Sequence, residues 1–320
     1  MKPEDTEEWH TTDLSDHCPA RVKLRLQGKI SNRAPTAMVR GMFAGCALEW
    51  LHAHRPDSWG TGDCQVSGAI DYGAYALRES IEEDNRILTD AAEKALKAEL
   101  PDELELVLEA YVRRLGPLFA QTQHLGTEIP IRCEHEGIKF ASHLDLVFYD
   151  TDNVFKCRNE DYAGAGATVF DWKWRKDAPS KAYMARNQQF LLYWLACKHG
   201  RVQIPEDEKN KIWFCLDEYP GMAWVHLPSL KPYTRRVITK DDEGQEREFK
   251  KGDDRPLRQV VRAIKFEPSV AHKAMERLCK KVEMYKDGYW PQNPDPVGCG
   301  ICEAEDFCTR YDTVSLEGDE

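Results

Sequence analysis

Two hydrophobic periodicities divide the chain. Up to about residue 121, apolar positions recur at the three-to-four-residue spacing of helices. Thr36, after Pro35, opens a helix to about His54 on which Met38, Phe43, Ala47, Leu48 and Leu51 fall on helical spacing. Gly41 and Gly45, four apart, permit close approach of another backbone or a ligand. Glu49 sits among the apolar residues, turned partly inward or held at a water-facing edge. A shorter helix is expected from Thr11 to about Leu26, interrupted by Cys18-Pro19. From about Ile70 to Gln121 the composition is again helical, with Ala91 to Lys97 a strong helix former and Pro101 restarting the pattern.

The period then changes to that of strands. Glu128 to Glu134 and Ile138 to Asp150 are extended runs, and His135-Glu136-Gly137 between them reads as a hairpin turn. Asp145 lies inside the second run, either facing solvent or buried with a counter-charge, a metal or several donors. After a polar, glycine-bearing excursion from Thr151 to Ala167, Val169-Phe170-Asp171-Trp172-Lys173-Trp174 forms a third strand. Strand side chains alternate faces, so Asp171 and Lys173 project together, and Trp172 and Trp174 point the other way, toward a core. Taken alone, an Asp-x-Lys is common and is more often an exposed strand face.

A long helix is expected from about Ser180 to His199, stopped by Gly200. Gln189 and Tyr193 share one of its faces, as a donor pair reaching a phosphate or as a helix edge whose tyrosine snorkels to water. Lys211 to Leu216 and Met222 to Leu227 flank Pro220-Gly221 and read as a second hairpin. Thr239 to Asp254 reads as a charged, solvated loop, and a helix from about Pro268 to Tyr285 leads to the last segment.

Composition narrows the function. The 320 residues suit one large domain, or two ordinary ones, with 42% hydrophobic and 31% charged residues. The net charge of −11 argues against indiscriminate binding of nucleic acid or anionic membranes, though it leaves room for a local basic groove. No apolar run reaches membrane-spanning length, and the first residues carry no apolar signal region, so a cytoplasmic, intracellular setting is expected. Most of the 11 cysteines read as small core residues. Cys299-x2-Cys302 followed by Cys308 is different: three thiolates at metal-ligand spacing, whose fourth ligand must come from far upstream. Spacing alone does not separate zinc from iron–sulfur. Asp145 and Asp171 on adjacent strands, with Lys173 two residues on, are what metal-assisted phosphodiester hydrolysis calls for: acids to hold the ion, a lysine to position water.

In this order, Asp145, Asp171-x-Lys173, Gln189-x3-Tyr193 and Cys299-x2-Cys302-x5-Cys308 resemble the PD-(D/E)XK nuclease superfamily. Within it the likeness is to the RecB-type branch with an iron–sulfur cluster, which includes the CRISPR-associated exonucleases. The resemblance spans Cys18 to Cys308 and implies a mixed α/β fold: a restriction-endonuclease-like core sheet flanked by helices, in one domain over residues 1–320. Residues 55–121 would be a mainly helical region within it, and the cysteine segment 296–310 would close onto the N-terminal helix. It further implies Mg²⁺ or Mn²⁺ held by Glu49, Asp145 and Asp171, and substrate positioning by Gln189 and Tyr193. A [4Fe–4S] cluster on Cys18, Cys299, Cys302 and Cys308, with Cys46 in reserve, would act as a structural clamp. The implied activity is a DNA nuclease, an exonuclease on single-stranded or end-bearing DNA, in a setting such as viral recombination, repair or CRISPR adaptation; protein partners and an oligomer are compatible with it. One departure stands out: where the family has a Gly-x3-His, this chain has Gly41 and Gly45, leaving Glu49, a displaced His52 or a water to replace the histidine. Competing readings are an iron–sulfur DNA-binding or partner-binding module with weakened catalysis, and structural zinc beside an unrelated activity.

Overall fold

A computed structural model describes residues 8–10, 14, 18–27, 32–54, 66–84, 86–152, 154–155, 166–175, 180–184, 187–205, 211–214, 220–229, 233–241, 245–253, 260–264 and 266–290. The first half carries β1 (Glu8–His10), α1 (Pro19–Leu26), β2 (Asn32–Ala34), α2 (Thr36–Ala53), α3 (Val66–Glu83), β3 (Arg86–Leu88), α4 (Asp90–Ala98) and α5 (Leu100–Phe119). Then come β4 (Gln123–His135), β5 (Ile138–Tyr149), β6 (Ala167–Arg175), α6 (Lys181–Met184), α7 (Gln188–His199), β7 (Arg201–Pro205) and β8 (Lys211–Phe214). The remainder is β9 (Gly221–Pro228), β10 (Val237–Lys240), β11 (Glu246–Phe249), β12 (Val260–Ile264) and α8 (Pro268–Lys286).

The strand-period half builds one mixed sheet in the order β12-β9-β6-β5-β4-β7-β8, with β1 added parallel to β5. The turn that starts it is tight. Glu136 (φ 52) and Gly137 (φ 75) are both left-handed, so His135 pairs Ile138 across a two-residue hairpin. β4, β5 and β6 form an antiparallel meander, and β9 then lies parallel to β6. Every residue of β9 is buried, as expected of a strand covered on both faces. One face of the sheet packs Phe148, Phe170, Trp172 and Trp174 against α2 to α5; the other packs Phe140, Val147 and Val169 against α7 and α8. This three-layer α/β arrangement is the mixed core expected from the sequence, and both tryptophans are core residues.

The interruption at Cys18-Pro19 stands: Leu14 is helical, Cys18 is not, and Pro19 begins α1, where the Cys18 carbonyl accepts from Arg21 and Val22 N–H and a proline without an N–H is well placed. Several other local expectations change. The helix expected from Ser180 is broken, because the Asn187 side chain caps Phe190 N–H and starts α7 afresh. No second hairpin forms at Pro220-Gly221; β8 pairs β7 at one side of the sheet, and β9 lies between β6 and β12. The apolar run of β9 is explained by that two-sided burial rather than by a turn partner. The charged stretch after Thr239 is not a loop but an antiparallel ribbon, β10 with β11, whose Arg236–Glu248 pair lies on the surface. The helical region contains α3, α4 and α5 and also β3, paired parallel with β2.

Close approach occurs at glycines other than those expected. Among the described residues a Cβ at Gly41 or Gly45 would meet nothing within 4 Å, so no described backbone packs there. Helix α3 instead approaches α2 at Gly73, where a Cβ would lie 3.0 Å from Ala47 Cβ and 3.1 Å from Phe43. At Gly200, which ends α7 against β4, a Cβ would lie 2.3 Å from the Arg132 carbonyl oxygen and 2.8 Å from Cys133 Cβ. Gly200→Ala should therefore lower stability by about 2 kcal/mol or more, because backbone has to move. Gly45→Ala should raise it by roughly 0.5–1 kcal/mol, since a methyl enters open space on a helix. Urea denaturation midpoints of the two variants check both signs.

Candidate active site

The β4–β5 and β5–β6 ladders bring three carboxylates into one row. The hairpin register pairs Thr127 with Leu146 and Ile129 with Leu144, which sets Glu128 across from Asp145. The β5–β6 ladder runs from Tyr149↔Ala167 to Leu146↔Phe170; one step further Asp145 would face Asp171, but the ladder has ended. On that same edge of β5, β1 pairs only with Lys139 to Ala141. Residues 142–145 thus lie between two strand partners without a ladder on that side among the described residues. In place of the missing rung, Asp145 Oδ2 accepts from Trp172 N–H at 2.8 Å. The sheet forks at its acids.

Glu128 is left-handed (φ 46), a conformation that costs an L-residue on the order of 1 kcal/mol and is usually tolerated where function fixes the backbone. It opens to solvent, whereas Asp171 is wholly buried. Asp171 Oδ1 meets no hydrogen-bond donor among the described residues, and Oδ2 has the Lys173 ammonium 2.5 Å away. An unsatisfied buried carboxylate oxygen is costly. Burial, with Asp145 adding to it, pushes the Asp171 carboxyl up to about 7 despite Lys173. Burial likewise raises Asp145. Partial desolvation raises Glu128 although solvent reaches it, and the charges of Asp145, Glu49 and Asp171 add to it. Burial works against the Lys173 charge, but Asp171, Asp145 and Glu128 outweigh it and hold the ammonium above its ordinary value. Its side chain remains 31% exposed, with Nζ 5.7 Å from the Trp224 ring centroid.

One lysine among four mutually repelling acids leaves a surplus of negative charge and a bare oxygen, which suits a divalent cation. The all-carboxylate donor set suits a hard ion such as Mg²⁺ or Mn²⁺. Asp171, Asp145 and Glu128 are the carboxylates of the row that could hold it. Glu49, half-buried on α2, adds its charge to Glu128.

The other sequence candidates fall as follows. Tyr193 is buried and does not snorkel: its hydroxyl accepts from Gln189 Nε2 at 2.5 Å and from Ser142 Oγ at 3.3 Å. Burial and the charges of Asp171 and Asp145 keep that phenol protonated, so its own proton is available on the side of the acids. His52 does not stand in for the absent histidine. It is buried on the opposite face of the sheet, 3.0 Å from the Tyr111 hydroxyl and stacked at 5.4 Å on Trp172. Cys46 lies near the carboxylates, its thiol pushed up to about 12 by burial and by Glu49 and Glu128. Cys18 is half-buried at the head of α1, and Cys299, Cys302 and Cys308 lie outside the described residues. Sequence reasoning missed Glu128. The signal was available: a two-residue turn at Glu136-Gly137 fixes the register, and counting back from Asp145 reaches Glu128.

Comparison with known families agrees with this geometry: the family model of the PD-(D/E)XK nuclease superfamily matches residues 13–309. No curated protein matches the chain.

The raised carboxyls have a consequence for stability. An acid whose folded pKa lies above its unfolded value stabilises the fold at low pH, and that stability is lost as pH rises through the folded value. For Asp171 the window runs from the ordinary carboxylate range to about 7. The chelator-treated protein should therefore melt several degrees lower at about pH 8 than at about pH 6. Mg²⁺ or Mn²⁺ should raise the melting temperature more at the higher pH, and Asp171→Asn should flatten both dependences. Thermal melts of the two proteins with and without metal test this.

Proposed function

The chain belongs to the PD-(D/E)XK nuclease superfamily, and on that premise we propose that it is a divalent-metal-dependent deoxyribonuclease, an exonuclease on single-stranded or end-bearing DNA. The observation that carries the reading is the bare, buried Asp171 Oδ1 beside Asp145 and Lys173. Asp171, Asp145 and Glu128 would hold Mg²⁺ or Mn²⁺, with Glu49 assisting from α2. The bound ion supplies Lewis-acid polarisation of the phosphate and a more acidic water. Glu49 and Glu128 make up for the histidine that Gly45 replaces.

The protein's own groups do the rest. Lys173, tethered by Asp171 and partly exposed, orients the attacking water and stabilises charge that develops on the phosphoryl oxygens. Tyr193, gripped by Gln189 and Ser142, donates its proton toward the acids and keeps the Asp171–Lys173 pair aimed. Gln189 is then a positioning residue for Tyr193 and, being half-buried, also reaches toward the bound strand.

The RecB-type likeness extends to a [4Fe–4S] cluster on Cys18, Cys299, Cys302 and Cys308, closing one domain over the whole chain. Its support is where α8 leads. Lys281 Nζ donates to the Leu14 carbonyl, Trp9 lies 5.8 Å from Tyr285, and Trp290 stacks on Tyr285 at 4.0 Å. The chain thus enters the cysteine segment beside the N-terminal residues that precede Cys18.

Labelled single- and double-stranded DNA with Mg²⁺ or Mn²⁺, under reducing anaerobic conditions, tests the activity. Wild type should shorten strands from their ends, and Lys173→Ala should lose about 10²–10³-fold in rate. Glu128→Gln should raise the Mg²⁺ needed for half-maximal rate by about tenfold. Wild-type protein that binds DNA but cuts none would leave the weakened binding module, for which the open space at Gly45 is the structural argument. Cys302→Ser should yield colourless, poorly soluble protein; a soluble, fully brown variant removes Cys302 from the cluster, and a colourless wild type favours zinc there.

A further inference from the structure

At the far end of the β4–β5 hairpin, seven residues along β4 from Glu128 and so about 23 Å away, a second set of ligating groups converges. His135 ends β4, Glu136 occupies the turn, and Cys279 comes from the middle of α8. The imidazole nitrogen, a carboxylate oxygen and the thiol sulfur all lie within 4.8 Å of one another. The elements are already in contact, because Cys279 Sγ lies 3.7 Å from the His135 carbonyl oxygen. His272, seven residues before Cys279 and hence on the same helix face, has its ring 6.4 Å from that of His135. His199, at the end of α7, is 5.9 Å from His272.

We propose that Cys279, His135 and Glu136 form a second metal site for a transition metal of the Zn²⁺ class. The donor set is mixed sulfur, nitrogen and oxygen, which a d¹⁰ ion accepts and Mg²⁺ or Ca²⁺ does not. Tetrahedral zinc with ordinary bond lengths needs donor atoms about 3.3–3.7 Å apart, so small rotations of three side chains complete the site. His272 or a water takes the fourth position.

Two further observations agree. Glu136 sits at a left-handed turn position (φ 52) where asparagine, aspartate or glycine would form the same turn more easily. Cys279 is wholly buried, so a thiolate–metal bond there would be shielded from solvent. The bound ion would tie the hairpin tip to α8. It neither uses the carboxylate row nor depends on the nuclease reading.

The test is zinc uptake by the full-length protein, with excess Mg²⁺ to fill the carboxylate row, measured against a chromophoric chelator. Wild type should take up one equivalent that the His135→Ala/Cys279→Ala double variant lacks. Glu136→Gln, a change in an exposed turn, should weaken that equivalent about tenfold. The equivalent is read as the difference between wild type and the double variant, both of which keep the C-terminal cysteines, so metal held there cancels. X-ray absorption at the zinc edge of the wild-type protein, which needs no variant, should show one sulfur and three nitrogen or oxygen neighbours. Equal zinc uptake by wild type and double variant, or an all-sulfur shell, overturns the proposal.

Discussion

A row of carboxylates that outnumbers the one ammonium beside it is the constraint on which the rest of the structure depends. Glu128, Asp145 and Asp171 lie side by side on three neighbouring strands, with Lys173 as the ammonium paired to Asp171. Charges of one sign at strand spacing repel strongly once protein excludes water. The sheet answers by opening. β6 leaves β5 where the acids would meet, β1 joins only further along, and the freed edge of β5 gives its Asp145 to the Trp172 N–H instead of a ladder bond.

The opposite face holds the fork still. Trp172 donates through its backbone to Asp145 and through its indole to the Tyr111 hydroxyl, and Tyr111 meets His52. A continuous chain of hydrogen bonds thus runs from α2 and α5, through β6, to an acid on the other side of the sheet. The Tyr111 hydroxyl accepts from the Trp172 indole and shares a hydrogen bond with His52 Nε2, which holds the imidazole ring in place. Supports of this kind keep a charged site in a working geometry while its own charges push it apart. They also explain a buried histidine on a helix that carries a site glutamate one turn away.

Much of this was legible in the sequence because it rests on local rules. The change of period near residue 121, the Glu136-Gly137 turn and the alternation around Asp171 are set by backbone sterics and side-chain facing. They gave the succession of the three strands and the shared face of Asp171 and Lys173. What escaped depends on distant partners. The apolar run of β9 looks the same whether it folds back on β8 or slots beside β6; only burial on both faces decides. The break before α7 depends on one asparagine cap, and the environment of His52 depends on Tyr111, 59 residues away. Glu128 was a different failure, since its partner could be counted from the turn.

The parallel pairing of β6 with β9 also orders events in time. The meander that carries the acids uses contacts between chain neighbours, whereas β9 reaches β6 only after α7 and the β7–β8 pair have been laid down. Contacts between distant segments form late because a long loop must close first. A chain emerging from the ribosome would therefore present the acid row before the strand that seals its flank, with the apolar edge of β6 open to other chains. Folding speed here is set by delivery of a strand that bears none of the row's acids, so substitutions in β9 would alter how much protein reaches the working state more than how well each molecule works.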